Sequence, residues 1–131
     1  MLAIFPLLRE TQTDACRKAL DAAREAIRTM EKANRLRSEA GKPVANVDLA
    51  LHIGEVLYGN VGAADRLDFT VIGPAVNEAA RIETLCEPLG RSVLVSAEFA
   101  EAIGSFEGLQ FLGHHRLRGV REPRAIYGLE L

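Results

Sequence analysis

Apolar positions along the chain follow two periods, and the switches between them mark out the elements. Leu2 to Phe5 is a short apolar run halted by Pro6, which reads as a buried strand. From about Thr13 to Ala40, Ala15, Ala19, Ala22/Ala23, Ala26/Ile27, Met30 and Ala33 recur at helical spacing, with Arg, Lys and Glu between them. The segment 11–14 offers N-cap residues, and Gly41 and Pro43 offer a stop, so a long amphipathic helix is predicted. Val47, Leu49, Leu51 and Ile53 then alternate with Asp48, Ala50 and His52, the period-two pattern of a strand with one buried face.

Gly54 to Gly62 reads as a bend or hairpin, and Leu67 to Ile72 as its partner strand. Gly73-Pro74 opens a helix over about Ala75 to Glu87, with proline at a favoured first-turn position and Pro88 and Gly90 ending it. Ser92 to Val95 is a strand, and Ser96 caps a short helix to about Ile103. Gln110 to Leu117 and Ala125 to Leu129 close the chain as two strands joined by a turn at Gly119 to Pro123. Helices interspersed with strands and hairpins, without repeat or linker, make one α+β unit over residues 1–131.

Composition narrows what such a unit does. The chain has 131 residues, 48% of them hydrophobic, and a net charge of −2. A core needs no metal or disulfide staple at this size, and no global basic field exists to hold nucleic acid. Five Phe, two Tyr and no Trp argue against a base-stacking platform. Cys16 and Cys86 form neither a metal-ligand spacing nor a disulfide framework, which fits a reducing, cytoplasmic setting. No apolar stretch is long enough for a membrane span, and the start lacks the pattern of a signal peptide.

The chemistry concentrates on the helix at Ala75 to Glu87. At about 100° per residue, Ala75, Ala79, Ile82 and Cys86 form a narrow buried stripe, and Asn77, Arg81 and Thr84 fall opposite. Asn77 and Arg81 are one turn apart, so their side chains can converge on one ligand. The helix start adds free backbone N–H groups and a favourable dipole for an anion. Arg81 brings a planar cation suited to phosphate, and Asn77 both donates and accepts. The plainer alternative is a solvated face on which Glu78 or Glu83 pairs with Arg81. The adjacent His114 and His115 point to opposite faces of a strand and read as structural. His52 has no evident partner, and the basic run Arg116 to Arg124 reads as a solvated turn.

The segment Phe69-Thr70-Val71-Ile72-Gly73-Pro74-Ala75-Val76-Asn77-Glu78-Ala79-Ala80-Arg81-Ile82-Glu83 resembles the core signature of class III nucleotidyl (adenylate/guanylate) cyclases. Leu51-His52-Ile53-Gly54-Glu55-Val56-Leu57-Tyr58-Gly59-Asn60-Val61-Gly62 is similar to the family's hairpin approach, and Leu117-Arg118-Gly119-Val120-Arg121-Glu122-Pro123 to the turn before its last strand. The resemblance implies a ferredoxin-like α+β fold that dimerises head to tail with sites at the interface. It implies catalytic roles for Asn77, which would orient the ribose, and Arg81, which would stabilise charge on the reacting phosphate. It also implies substrate-binding positions at Thr70, Val71 and Val76. Thr70, seven residues before Asn77, falls at the base-selecting position, where threonine resembles a subclass linked to bicarbonate responsiveness. The implied reaction converts ATP, with GTP as the alternative, to the 3′,5′-cyclic nucleotide and pyrophosphate in signalling, with two Mg²⁺ or Mn²⁺ ions.

The chain also departs from that family. The two metal-binding Asp residues and the base-reading Lys have no counterpart in motif context, and Asp14, Asp21 and Asp48 do not replace them. The expectation is an N-terminally truncated cyclase fold, the C-terminal two-thirds of the domain with the first strands and helices missing. An upstream regulatory segment would belong to the full protein. Val120 stands where the family has a late catalytic Lys, with Arg118 and Arg121 as nearby cations. A homodimer of such a chain is expected to be inactive alone, and a non-catalytic dimerisation or regulatory module is the competing reading.

Overall fold

A computed structural model of the protein describes residues 2–5, 11–60, 69–106 and 108–129. In chain order the elements are α1 (Gln12–Glu39), β1 (Leu49–Leu51), β2 (Leu57–Asn60), β3 (Phe69–Ile72), α2 (Pro74–Glu83), α3 (Cys86–Leu89), β4 (Val93–Ser96), α4 (Ala97–Ile103), β5 (Leu109–His115) and β6 (Arg124–Leu129).

The periodic segment folds as the long helix α1, whose N-cap Thr11 Oγ1 accepts from the Asp14 N–H at 3.2 Å. That bond satisfies one of the donors every helix start leaves open. Ala15, Cys16, Ala19, Leu20, Ala23 and Ile27 are buried, and no residue of the helix beyond Ile27 is. The far half extends beyond the core, and Asn34 ties the returning chain to it with two side-chain bonds to the Ala45 backbone (2.6 and 2.9 Å).

Four strands form one sheet in the order β1-β4-β6-β5, and β2 and β3 form a separate antiparallel pair. β1 runs parallel to β4 (Leu49↔Val93, Leu51↔Val95), while β4–β6 and β6–β5 are antiparallel. Helices cover both faces. Val93, Val95 and Leu129 pack with Cys16, Leu20, Ile27, Phe99 and Ile103 of α1 and α4. Leu94 and Ile126 pack on the other face with Ile82, Cys86 and Leu117. Alternate side chains of β4 therefore enter different cores, and the strand is buried along its whole length.

Four expectations need correction. Residues 2–5 carry no strand, and Leu2 and Phe5 are exposed. The alternating run 47–53 yields only the three-residue β1, an edge strand of the sheet, so His52 and Ile53 lie past its end. The helix expected over 75–87 is two helices, with a turn at Thr84–Leu85. Pro88 supplies the reason: it lacks an N–H, and its ring would clash with the Thr84 carbonyl in a continuous helix. Pro88 therefore sits inside α3 rather than after it, and Gly90 caps the end in the left-handed region (φ +63°). β5 starts one residue early and stops at His115, with an irregularity between Phe111 and His114. The start of the strand expected at Leu67 and the hairpin end at Val61 and Gly62 lie outside the described residues.

Candidate active site

β3 feeds directly into α2 through Gly73, which serves as N-cap with φ +149°, and Pro74 takes the first helical turn. A Cβ on Gly73 would stand 3.1 Å from the Glu55 carbonyl oxygen, so the segment preceding β2 runs hard against this turn. Gly54 sits closer still: a Cβ there would lie 2.6 Å from Ala75 Cβ. The two glycines let the chain after β1 lie flat across the start of α2.

The buried side of α2 is set by Ile82, with Cys86 continuing the stripe into α3; Ala75 and Ala79 are partly buried. Asn77 is exposed and Arg81 half-buried on the opposite side, as the wheel predicts. Thr84 is exposed too, but its hydroxyl turns back to donate to the Arg81 carbonyl at 2.6 Å. Its proton is thus committed to closing the helix.

Leu117 is 4% exposed in the core cluster that holds Ile82, and this anchors the following turn over α2. The turn closes with Val120 N–H donating to the Leu117 carbonyl (3.0 Å), and Gly119 takes φ +79°. The Arg81 guanidinium lies over Gly119, 3.2 to 3.4 Å from where a Cβ would be. Between helix and turn is an open cleft of about 410 Å³ lined by Gly73, Pro74, Asn77, Glu78, Arg81, Gly119 and Val120. Two chain segments nearly 40 residues apart in sequence thus meet around the Asn77/Arg81 pair.

The electrostatics favour an anion. The first turn of α2 carries no acidic residue, so the helix dipole is uncompensated there. The free N–H groups expected at this start are mostly not free, because Pro74 has none and the Val76 and Asn77 N–H groups donate to the Gly73 carbonyl at 3.2 and 3.4 Å. Neither the Asn77 nor the Arg81 side chain bonds another described residue, and Arg81 has no described ion-pair partner. Of the two carboxylates expected to compete for it, Glu83 makes no ion pair with it and Glu78 is engaged elsewhere. Glu78 Oε2 takes a hydrogen bond with His52 Nε2 at 2.9 Å, and Arg124 Nη2 stands 3.9 Å from Glu78 Oε1. His52 Nδ1 in turn meets Ser96 Oγ at 2.8 Å, and Arg124 Nη1 donates to Glu98 Oε1 at 2.7 Å.

This network was not legible in the sequence. His52 followed an alternating strand pattern, and Ser96 was recognisable only as a cap; nothing local signals that the two meet Glu78. Ser96 does cap α4, accepting from the Phe99 N–H at 3.1 Å.

The remaining candidates divide. Val76, partly buried, lies in the first turn of α2 beside Asn77. Thr70 and Val71 lie in β3, where their backbones pair with Gly59 and Tyr58. Val120 presents an apolar wall to the cleft, whereas Arg118 and Arg121 are exposed and do not line it. His114 packs edge-on against Phe111, while the His115 ring bonds the Leu112 carbonyl (2.8 Å), so the pair does separate structural jobs.

Residues able to hold a divalent metal are not assembled here. No group of three or more His, Cys, Asp or Glu with metal-binding geometry occurs among the described residues. Asp14 and Asp21 ride on α1, which covers the sheet face opposite α2. Glu78 and Glu98 are tied to His52 and Arg124. The described residues therefore do not fit the two ions the family resemblance implies. Cys86 is buried, and burial, reinforced by the charges of Asp48 and Glu83, pushes its thiol up to about 11, away from the thiolate a ligand or nucleophile needs. Among the described residues no helix is long and apolar enough to cross a membrane.

Comparison with known proteins places these features in context. No family model matches the chain. It is 39% identical over 98 residues to an adenylate cyclase of Anabaena cylindrica, a match covering 72% of this chain and 19% of that protein. The crystal structure of the adenylyl cyclase CyaB from P. aeruginosa superposes with a TM-score of 0.69 at 26% identity, over 95% of this chain and 62% of that one. The guanylyl cyclase Cya2 shares the fold at the same TM-score of 0.69 and 22% identity, over 93% of this chain and 61% of that one. The chain spans about a fifth of the length of the curated relatives first matched. The α+β sheet covered on both faces, the signature at 69–83 and these likenesses agree: the chain belongs to the class III nucleotidyl cyclase family.

Proposed function

We propose that the chain supplies one half of an adenylate cyclase-type site, formed at a head-to-tail dimer interface, that converts ATP to 3′,5′-cyclic AMP and pyrophosphate in intracellular signalling. The observation that carries this reading is the convergence of Asn77 and Arg81, neither bonded to another described side chain, on one cleft at a helix N-terminus. In the reaction the ribose 3′-oxygen attacks the α-phosphorus and pyrophosphate leaves. Negative charge grows on the phosphoryl oxygens, and a guanidinium already in place stabilises it without reorganisation. Asn77, one turn nearer the helix start, accepts from a ribose hydroxyl and donates to a ring or phosphate oxygen, fixing the nucleophile's direction. The positive end of the α2 dipole, with no acidic residue in the first turn to offset it, adds partial positive charge. Thr70, Val71 and Val76 are the substrate-binding positions in this reading, with GTP as the alternative substrate.

The partner protomer would contribute the metal carboxylates for Mg²⁺ or Mn²⁺, so a dimer of this chain alone is expected to turn over negligible nucleotide. Val120, an apolar residue where the family has a lysine, favours a second reading: a cyclase-like module that binds nucleotide without turnover. A complementation assay separates the two. The chain is mixed with a cytoplasmic cyclase protomer that keeps its metal carboxylates but carries Ala for its own Asn and Arg. Cyclic nucleotide formed from ATP or GTP with Mn²⁺, and lost with Arg81→Ala, supports catalysis. Nucleotide binding without product supports the non-catalytic module.

A further inference from the structure

Glu78 is three residues before Arg81 on α2, a spacing at which carboxylate and guanidinium ordinarily pair on a helix surface. It lines the same cleft, yet its carboxylate is turned to His52 Nε2 at 2.9 Å, with Arg124 Nη2 at 3.9 Å. The His52 side chain is only 6% exposed, and both its ring nitrogens are engaged. A carboxylate only accepts, so His52 Nε2–H donates to Glu78; in the neutral tautomer this selects, Nδ1 accepts the Ser96 hydroxyl proton, while Ser96 Oγ accepts from the Phe99 N–H. Ser96 is itself 2% exposed at the junction of β4 and α4, so the chain from sheet to Glu78 is anchored in the core.

We propose that His52 and Arg124 are positioning residues that hold Glu78 away from Arg81, leaving the guanidinium free for a phosphate group. The proposal rests on the phosphate-binding role given to Arg81 above. It assigns a task to a buried histidine that touches no substrate. It also explains why the site tolerates an acidic residue on the face that meets a polyanion. With the clamp released, Glu78 swings into the i, i+3 pair with Arg81, and a ligand must then break that pair and face an added negative charge.

The test is the affinity of the chain for inorganic pyrophosphate, measured by titration calorimetry across a double-mutant cycle. His52→Leu keeps the buried volume and removes both ring bonds; it is expected to weaken binding about three- to tenfold, the scale of a partly exposed ion pair plus local repulsion. Glu78→Gln is expected to tighten binding, and His52→Leu/Glu78→Gln to match Glu78→Gln. Arg124→Ala, at a 40% exposed side chain, provides a milder release that Glu78→Gln also rescues, should His52→Leu fold poorly. A loss in His52→Leu that Glu78→Gln does not rescue means His52 is merely structural, and the proposal falls. Equal binding by His52→Leu and the parent, with Arg81→Ala still weak, overturns the clamp but leaves the role of Arg81 intact. Parent-like binding by Arg81→Ala overturns both.

Discussion

Replacing Gly54 by alanine tests how closely the chain after β1 must approach α2. The new methyl would lie 2.6 Å from Ala75 Cβ, whereas unstrained carbon–carbon contacts sit at about 3.5–4.0 Å. A gap of roughly 1 Å must therefore open between this segment and the first turn of α2. Overpacking of this kind costs about 1–3 kcal/mol, and it moves the turn that carries Asn77. Ala75→Gly removes the methyl that is struck, at a cost of up to about 1 kcal/mol in helix propensity. The double variant Gly54→Ala/Ala75→Gly is then more stable than the two single losses predict, by about 1–2 kcal/mol, because the sites are in contact. Urea unfolding followed by circular dichroism measures all four proteins. A Gly54→Ala variant as stable as the parent, or two losses that simply add, would refute the close-approach argument.

Other consequences follow from the same geometry. Gly119→Ala places a Cβ 3.2 Å from Arg81 Nη1 at φ +79°, so it should cost about 1–2 kcal/mol and weaken ATP binding. Gly90→Ala, at φ +63° with nothing within 4 Å, is the control that should lose similar stability but keep binding. Raising the pH from 9 to 11 should destabilise the fold by up to about 2–3 kcal/mol through Cys86, because the unfolded thiol loses its proton near 9.0 while the native one holds it to about 11. Cys86→Ala should flatten that slope in denaturation curves, leaving the smaller contribution of Cys16, whose thiol burial also pushes up. Ser96→Ala removes both the α4 cap and the His52 partner and should cost about 1–2 kcal/mol, more than the exposed cap substitution Thr11→Ala.

What was legible in the sequence was mostly local. The α1 repeat, the Ser96 cap and the placing of Asn77 and Arg81 opposite Ile82 and Cys86 all rest on spacing within a few turns, and the structure keeps them. The break between α2 and α3 has a local signal too, since the clash of a Pro88 ring with the Thr84 carbonyl outweighs the apolar stripe that runs past it. The shortness of β1 was not, because pairing depends on where β4 ends rather than on alternation in residues 47–53. The cleft owes its second wall to Leu117, whose burial beside Ile82 brings Gly119 and Val120 over α2. The His52–Glu78–Arg124–Glu98 network joins four segments of chain, and no spacing within one of them announces it.

The central claim is that Arg81 and Asn77 form a phosphate-binding cleft, and equilibrium ATP binding tests it most directly. Calorimetric titration of the parent chain and Arg81→Ala should show a loss of about tenfold or more, since a charge-assisted hydrogen bond contributes about 1.5–3 kcal/mol. Equal affinity in the two proteins would contradict the account.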